Sequence, residues 1–245
     1  HAPSNTSVVH LLARRAIRDC PTALNPTTDG FPPPPAFHVP IVIHGNKRNH
    51  TRRVVASLVR DADVRVRLAA AAALGPLGAS AALVIGLDDV DSTVREAAVV
   101  AIGTLPSETI AALTVAASHA SDPLQSVVCA ALAQRGKDVV TGLLETLVHA
   151  PTIPSRVFAA VALGGLASDH PPAVDALVRG LSDESGDVQS AAALSLVPAG
   201  PSAADAARDA VREAFEETTH DAVLRACSRA LDAFDGRQPP PLALE

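Results

Sequence analysis

The side chains in this sequence best suited to hold a metal ion are histidines near its start. They are His10, His38, His44 and His50, the last three spaced six residues apart. Imidazoles ligate a metal only when a fold gathers them, and a six-residue step places no two of these on one face of a helix. The spacing therefore predicts no metal site, and we expect no cofactor.

Nucleophiles and catalytic motifs are equally sparse. The sequence contains no GxSxG, HExxH, Walker A or GxGxxG motif and no adjacent His-Glu pair. Its three cysteines, Cys20, Cys129 and Cys227, are far apart and odd in number. This spacing argues against a disulfide framework or a zinc site, and it fits a reducing cytoplasm. No catalytic residue is predicted, and a non-catalytic role is favoured over an enzymatic one.

Basic side chains could instead bind carboxylates or phosphates, and they are unevenly distributed. Residues 1–67 hold ten of the twenty Lys and Arg but only four acidic residues, whereas the rest of the chain holds ten basic and twenty-two acidic residues. Four of the bases form what we call the basic N-terminal patch: Lys47, Arg48, Arg52 and Arg53. The patch predicts contact with an acidic protein or a phosphate, or else a solvated helix start. The acidic remainder argues against nucleic-acid binding.

An internal repeat predicts the elements that would position these residues. The segments Val66–Gly75 and Val94–Gly103 are the two clearest copies, and weaker copies begin at Leu124, Ser155, Val188 and Val223, at intervals of 28 to 35 residues. Apolar residues at the first, fourth, eighth and ninth places recur at steps of three and four, which is typical of one face of a helix. Small residues at the eighth place predict close packing of neighbouring helices. The apolar fraction, dominated by Ala, Val and Leu with no Met, Trp or Tyr, also favours stacked helices.

Most copies are preceded, three residues before the start, by a residue suited to cap a helix. Five of the six are good N-caps: Asp63, Asp91, Ser121, Thr152 and Ser185. Their side chains could accept hydrogen bonds from the free amides of the first turn. Apolar segments suited to partner helices lie before the copies, at 51–60, 79–87, 108–119, 137–149, 173–181 and 203–218. Each repeat is therefore predicted to be a helical hairpin that must stack on its neighbours to bury its apolar face.

The predicted domain organisation has three parts. Residues 1–50 comprise an amphipathic helix over Thr6–Cys20 and an irregular Pro-rich segment around Phe31–Phe37, in which four prolines enforce polyproline II geometry. Residues 51–235 form the repeat array, and residues 236–245 form a disordered tail. The uncharged stretch Leu68–Leu87 has the length of a membrane span. Because Gly75-Pro76 and Gly78 interrupt it, we interpret it as two buried half-helices.

The pattern D-x-x-V-R-x-x-A-x-x-x-A-L-G resembles the HEAT repeat, and more closely the HEAT-like subgroup found in phycobilin lyases. The resemblance covers roughly residues 51–235. It implies an all-α, right-handed α-α superhelix of about six helical hairpins, armadillo-like in form, with second helices lining a concave side. It also implies a protein-binding scaffold or adaptor. Two alternatives remain open: a phycobilin-lyase-like enzyme or enzyme subunit, and a nucleic-acid-binding HEAT-like protein.

The residue one place after each start supplies the candidate binding side chains. In the first five copies these are Arg67, Arg95, Gln125, Arg156 and Gln189. In the two clearest copies an aspartate lies four residues before the arginine, so Asp63 with Arg67 and Asp91 with Arg95 could pair along the helix. The series could hold the repeats in register as a polar ladder. Alternatively, its unpaired members could line the concave groove and bind acidic groups of a protein partner; no membrane is expected among the partners.

Overall fold

The computed structural model describes residues 46–237, which form paired helices. Within this range the six pairs are α1 (Asn46–Leu58) with α2 (Val64–Leu77), α3 (Ser80–Leu87) with α4 (Ser92–Gly103), α5 (Ile110–Ala117) with α6 (Asp122–Ala133), α7 (Val140–His149) with α8 (Ile153–Gly164), α9 (Pro171–Gly180) with α10 (Gly186–Leu196), and α11 (Ala204–Glu217) with α12 (Asp221–Phe234). Short 3₁₀ segments precede α5, α7 and α11.

The pairs stack into two layers. Each second helix packs on the second helix of the next repeat, and from α3 onward each first helix packs on the next first helix. Leucine and isoleucine side chains fill the space between the layers and are fully buried, among them Leu74, Leu83, Ile102, Leu113 and Leu132. No repeat could bury this surface alone, because the apolar face of a two-helix hairpin is covered only by its neighbours. The architecture is therefore an α-helical solenoid.

All six second helices begin two residues before the start of a sequence repeat, so the N-cap of each is the residue expected to cap it. The carboxylates of Asp63 and Asp91 accept from the amide of the second helical residue at 2.9 Å. Ser121, Thr152 and Ser185 make no such side-chain bond. After Ser121 and Thr152 the second helical residue is a proline, which has no N–H to donate.

Several predicted boundaries of the first helices are wrong, those of α1, α5 and α7 among them; α7 begins at Val140 because Gly136–Val139 is a 3₁₀ turn. Helix α1 begins at Asn46 rather than at Thr51, so Lys47 and Arg48 of the basic N-terminal patch also lie within the first helix. Helix α5 ends at Ala117 and begins at Ile110, because Ser107–Thr109 is a 3₁₀ turn. The uncharged stretch over residues 68–87 does divide into two helices, as expected. Gly78 ends α2 with a φ of 68°, a left-handed conformation that glycine adopts without steric cost.

Small residues allow the second helices to approach closely. A Cβ built on Gly75 of α2 would collide with the backbone carbonyl of Ala101 in α4, and one built on Gly164 of α8 would lie 2.8 Å from the Cβ of Ser195 in α10. Ala101 and Ser195 both occupy the eighth place of their repeats. The glycine at the tenth place of one repeat thus meets the small eighth-place residue of the next.

Two further predictions bear on the ends of the chain and on membranes. The helix over residues 6–20, the Pro-rich segment and most of the C-terminal tail lie outside the described residues. Within residues 46–237, no single helix is both long and apolar enough to cross a bilayer. One pair, Ser92–Gly103 with Ser107–Ala117, meets the length and composition requirement only jointly, and the two helices are bent by 117°.

Candidate functional site

The five candidate ladder residues share one structural role, which is to cap the turn that precedes their own helix. Each donates from a terminal nitrogen to a backbone carbonyl five to seven residues earlier. The contacts are Arg67 to Asp61 O (3.0 Å), Arg95 to Asp89 O (2.7 Å), Gln125 to Ala120 O (3.0 Å), Arg156 to Ala150 O (3.1 Å) and Gln189 to Asp183 O (2.8 Å). The structure therefore brings these side chains to one edge of the solenoid, which we call the turn edge.

Two of the arginines also bridge to the next repeat. Arg67 donates through Nε and Nη2 to the two carboxylate oxygens of Asp89, at 2.7 and 3.0 Å. Arg156 donates through Nη2 to Asp183 at 3.1 Å, and its Nε lies 2.9 Å from the other carboxylate oxygen. The side chains of both pairs are at most 14% exposed. The hydrogen bond from Arg67 holds the pKa of Asp89 below its ordinary value.

The predicted pairing of Asp63 with Arg67, and of Asp91 with Arg95, is wrong. Asp63 is used as an N-cap and forms an ion pair with Arg65 at 3.2 Å. Asp91 accepts from both the amide and the hydroxyl of Thr93, at 2.9 and 2.6 Å. An aspartate at the N-cap points back toward the first-turn amides, while the arginine four residues later extends to the carbonyls of the turn. The aspartates therefore cap their helices instead of pairing with the arginines four residues later.

The acid that receives each bridge occupies a fixed place in the turn, five residues before the start of the next repeat. Asp61, Asp89 and Asp183 stand there, and each carboxylate accepts from the amide two residues later at 2.9 to 3.0 Å. The third, fourth and sixth repeats carry His119, Ala150 and Thr218 at this place. The bridges therefore join the first repeat to the second and the fourth to the fifth.

A second surface is formed by the outward side of the second helices. The seventh residue of the repeat is exposed and aliphatic in four successive copies: Ala72, Val100, Ala130 and Val161. Val100 is 66% exposed and Val161 is 49% exposed. Val127 and Ile153 add further exposed apolar area on α6 and α8. We call this row the second-helix stripe; periodicity did not single it out because the seventh place takes no part in the buried face.

A groove of about 440 Å³ opens beside the stripe, between α4 and α6. It is lined by Val99, Val100, Gly103 and Arg135, among others. Arg135 donates through Nη1 to Ile102 O at 2.9 Å and to Leu105 O at 2.7 Å, so it satisfies carbonyls at and just beyond the end of α4. The repeat pattern does not single out this residue, because no other repeat has an arginine in the same place.

The basic N-terminal patch lies in the first helix of the array. Its four residues fall between the second and eighth positions of α1, and the side chains of Arg52 and Arg53 are exposed. Helix α1 belongs to the first-helix layer, and the turn that follows it carries the first acid of the turn edge, Asp61.

The described cysteines are poorly placed for chemistry. Burial raises the pKa of Cys129 and of Cys227 to about 11, so that both thiols stay protonated at neutral pH. In the part of the chain covering residues 46–237, no three His, Cys, Asp or Glu side chains come together in a group that could hold a metal ion.

Comparison with known proteins gives likenesses of architecture. No protein-family model matches the sequence, and no curated protein matches it. An archaeal HEAT-like repeats protein from Thermococcus onnurineus NA1 is 14% identical with a TM-score of 0.35, covering 96% of this chain and 99% of its own. Computationally designed armadillo repeat proteins for modular peptide recognition are 19% identical with a TM-score of 0.35, covering 78% and 94%. The complex of CpcE and CpcF of phycocyanin lyase from Nostoc is 22% identical with a TM-score of 0.27, covering 78% and 85%.

The chain is an α-helical solenoid. The assignment rests on the repeat pattern and on the paired, stacked helices of residues 46–237. The likenesses to solved structures concern architecture and assign neither an activity nor a partner.

Proposed function

We propose that this protein is a non-catalytic scaffold that binds a partner protein along the second-helix stripe. The observation that carries the proposal is the run of exposed aliphatic side chains at the seventh place of four successive repeats, from Ala72 to Val161. These side chains do not hold the repeats together, because the interfaces between repeats use the buried places. Exposed apolar side chains that recur along successive repeats offer a surface that a protein partner can cover.

The spacing of the stripe suggests what the partner presents. Packed helices lie about 8–10 Å apart, so successive stripe residues follow one another at about that interval. A polyproline II segment repeats every three residues, which is about 9 Å. An extended partner segment in this conformation, with an aliphatic side chain at every third residue, would place one such side chain against each repeat.

The test compares two valines of equal exposure on opposite layers. Val161 lies in second helix α8 and is 49% exposed, while Val148 lies in first helix α7 and is 47% exposed. Each is changed to aspartate, both variants are checked for unchanged helicity, and each is used for affinity capture from an extract of the source cells. We expect Val161→Asp to lose a protein that the unmodified chain and Val148→Asp both retain.

Retention of the same proteins by both variants would contradict the proposal, and so would capture of no specific protein by the unmodified chain. A chromophore that copurifies with the chain would contradict it in another way, because it would favour the lyase-like alternative.

A further inference from the structure

The identity of four of the five ladder residues follows what the next repeat offers. Arg67 and Arg156 are followed, in the next turn, by Asp89 and Asp183, and both arginines bridge to those acids. Gln125 and Gln189 are followed at the same place by Ala150 and Thr218, which carry no charge. Both glutamines only cap the carbonyls of their own turn. An arginine thus occurs where there is a carboxylate to bridge to, and a glutamine where there is none.

Arg95 breaks this relation. Its counterpart in the next turn is His119, which offers no carboxylate. Its Nη1 donates to Asp89 O at 2.7 Å and to Val90 O at 3.1 Å, and the residue is exposed. Within residues 46–237, no carboxylate lies within 4.0 Å of its guanidinium. Arg67 donates to Asp89 through Nε and Nη2. In Arg95 the same two donors face solvent.

The surface next to Arg95 is a groove rather than a flat edge. The groove has a volume of about 650 Å³, and its lining includes Asp89 and Val90, the two residues whose carbonyls Arg95 caps. One wall is aliphatic, with Val84, Ile85 and Leu124 beside Val90, whose side chain is 91% exposed. Three carboxylates line the groove: Asp89 is paired with Arg67, Asp61 accepts from the amide of Asp63, and Asp88 also lies there. Asp91, outside the lining, binds Thr93.

We propose that Arg95 receives a carboxylate from outside the chain, namely the Asp or Glu side chain of a partner segment lying along the turn edge. The incoming carboxylate takes the place that Asp89 and Asp183 fill at the bridged repeats. An aliphatic side chain next to it in the partner packs on Val90 and Ile85. Charge-assisted, two-point binding of this kind is the strong form of carboxylate recognition by arginine. The inference rests on the proposed function in that its occupant is a partner polypeptide, but it concerns a different surface.

The chain itself supplies the discriminating variant. Arg95→Gln should keep the hydrogen bond to the turn carbonyl, which Gln125 and Gln189 make at the equivalent place. It removes the guanidinium donors that do not take part in that bond. Arg65→Gln is the matched control, because Arg65 is an exposed arginine in the first turn of α2 that already has its own carboxylate partner, Asp63. All three proteins are panned against the same random peptide library displayed on phage.

We expect the unmodified protein to select peptides that contain Asp or Glu beside an aliphatic residue. Their affinity should fall by roughly tenfold to a hundredfold for Arg95→Gln and stay nearly unchanged for Arg65→Gln. Selection of peptides without an acid, equal binding by Arg95→Gln, or equal loss in Arg65→Gln would overturn the inference. If no peptide is selected at all, the inference is likewise overturned.

A second measurement uses a small probe and needs no peptide. Sodium isovalerate, a carboxylate with an aliphatic tail, is titrated at constant ionic strength while the Arg Nε–Hε resonances are followed by NMR. The Arg95 resonance should shift and that of Arg65 should not; a stationary Arg95 resonance would contradict the site. The selected peptides should also bind Val161→Asp as well as the unmodified protein. If Val161→Asp loses them and Arg95→Gln retains them, they bind the second-helix stripe, so that the turn-edge site is wrong while the proposed function stands.

Discussion

The bridge between Arg156 and Asp183 gives the most exacting test of how the repeats are held together. Changing Arg156 to glutamine should preserve its contact with the turn carbonyl, which glutamines at the equivalent place make in two other repeats. The change removes the partner of Asp183, whose side chain is only 11% exposed. A buried carboxylate without its cation is costly, because neither water nor an opposite charge stabilises it.

The expected loss of stability depends on the hydrogen bond that Asp183 retains in the variant. Removing one partner of a buried ion pair costs about 3–5 kcal/mol. Asp183 still accepts from the amide of Ser185 at 2.9 Å, so the lower end of that range applies, about 3 kcal/mol. For a chain of this length, each kcal/mol lowers the melting temperature by about 2–4 °C, which gives a shift of about 6–12 °C.

The assay is urea and thermal denaturation followed by far-UV circular dichroism, with Arg95→Gln as the control. The chemical change is the same, but Arg95 bridges to no acid in the described chain, and its loss should cost under about 0.5 kcal/mol. The double change Arg156→Gln with Asp183→Asn should recover most of the loss, because the asparagine can still accept from Ser185 and carries no charge. Equal losses in Arg156→Gln and Arg95→Gln would refute the reasoning that the bridge, rather than the cap, stabilises the array.

Two further changes test the packing and the electrostatics. Ala101 is 2% exposed and packs on Gly75, so Ala101→Leu should lower the free energy of unfolding by about 1–3 kcal/mol through overpacking. The control, Ala130→Leu on the exposed stripe, should change it little. An unchanged melting temperature for Ala101→Leu would contradict the close approach of α2 and α4. Because Arg67 lowers the pKa of Asp89 in the folded state, the stability from this pair is present above the ordinary carboxyl pKa of about 4 and is lost as the pH falls through the lower folded value. The free energy of unfolding should therefore fall less on acidification in Asp89→Asn than in the unmodified chain. If denaturation gives both proteins the same dependence of this free energy on pH, the pair does not contribute to stability.

The second helices could be predicted from the sequence because the signals that define them are local. An N-cap such as Asp91, an apolar face with steps of three and four, and a small residue at the eighth place all lie within one helix. The same information does not fix the first helices, where no capping aspartate marks the start. Helix α1 accordingly begins five residues before the predicted position.

The pairing within the ladder could not be predicted because it depends on stacking. Arg67 reaches an acid 22 residues later and Arg156 one 27 residues later, and neither separation corresponds to a regular helical spacing. The nearer aspartates looked like suitable partners, but their role as N-caps takes them out of reach. The sequence contains a partial signal for the bridges: Arg67 and Arg156 are followed by an acid in the next turn and Gln125 and Gln189 are not, whereas Arg95 is followed by His119.

The interruption of the bridges has a mechanical consequence. In a repeat array, stiffness and stability are set mainly by the interfaces between nearest neighbours. Ion-pair bridges join the first repeat to the second and the fourth to the fifth, while the other three interfaces have none among the described residues. Arg135 joins the third repeat to the second only through bonds to backbone carbonyls. We therefore expect bending and twisting under load to concentrate at the interfaces without an ion pair.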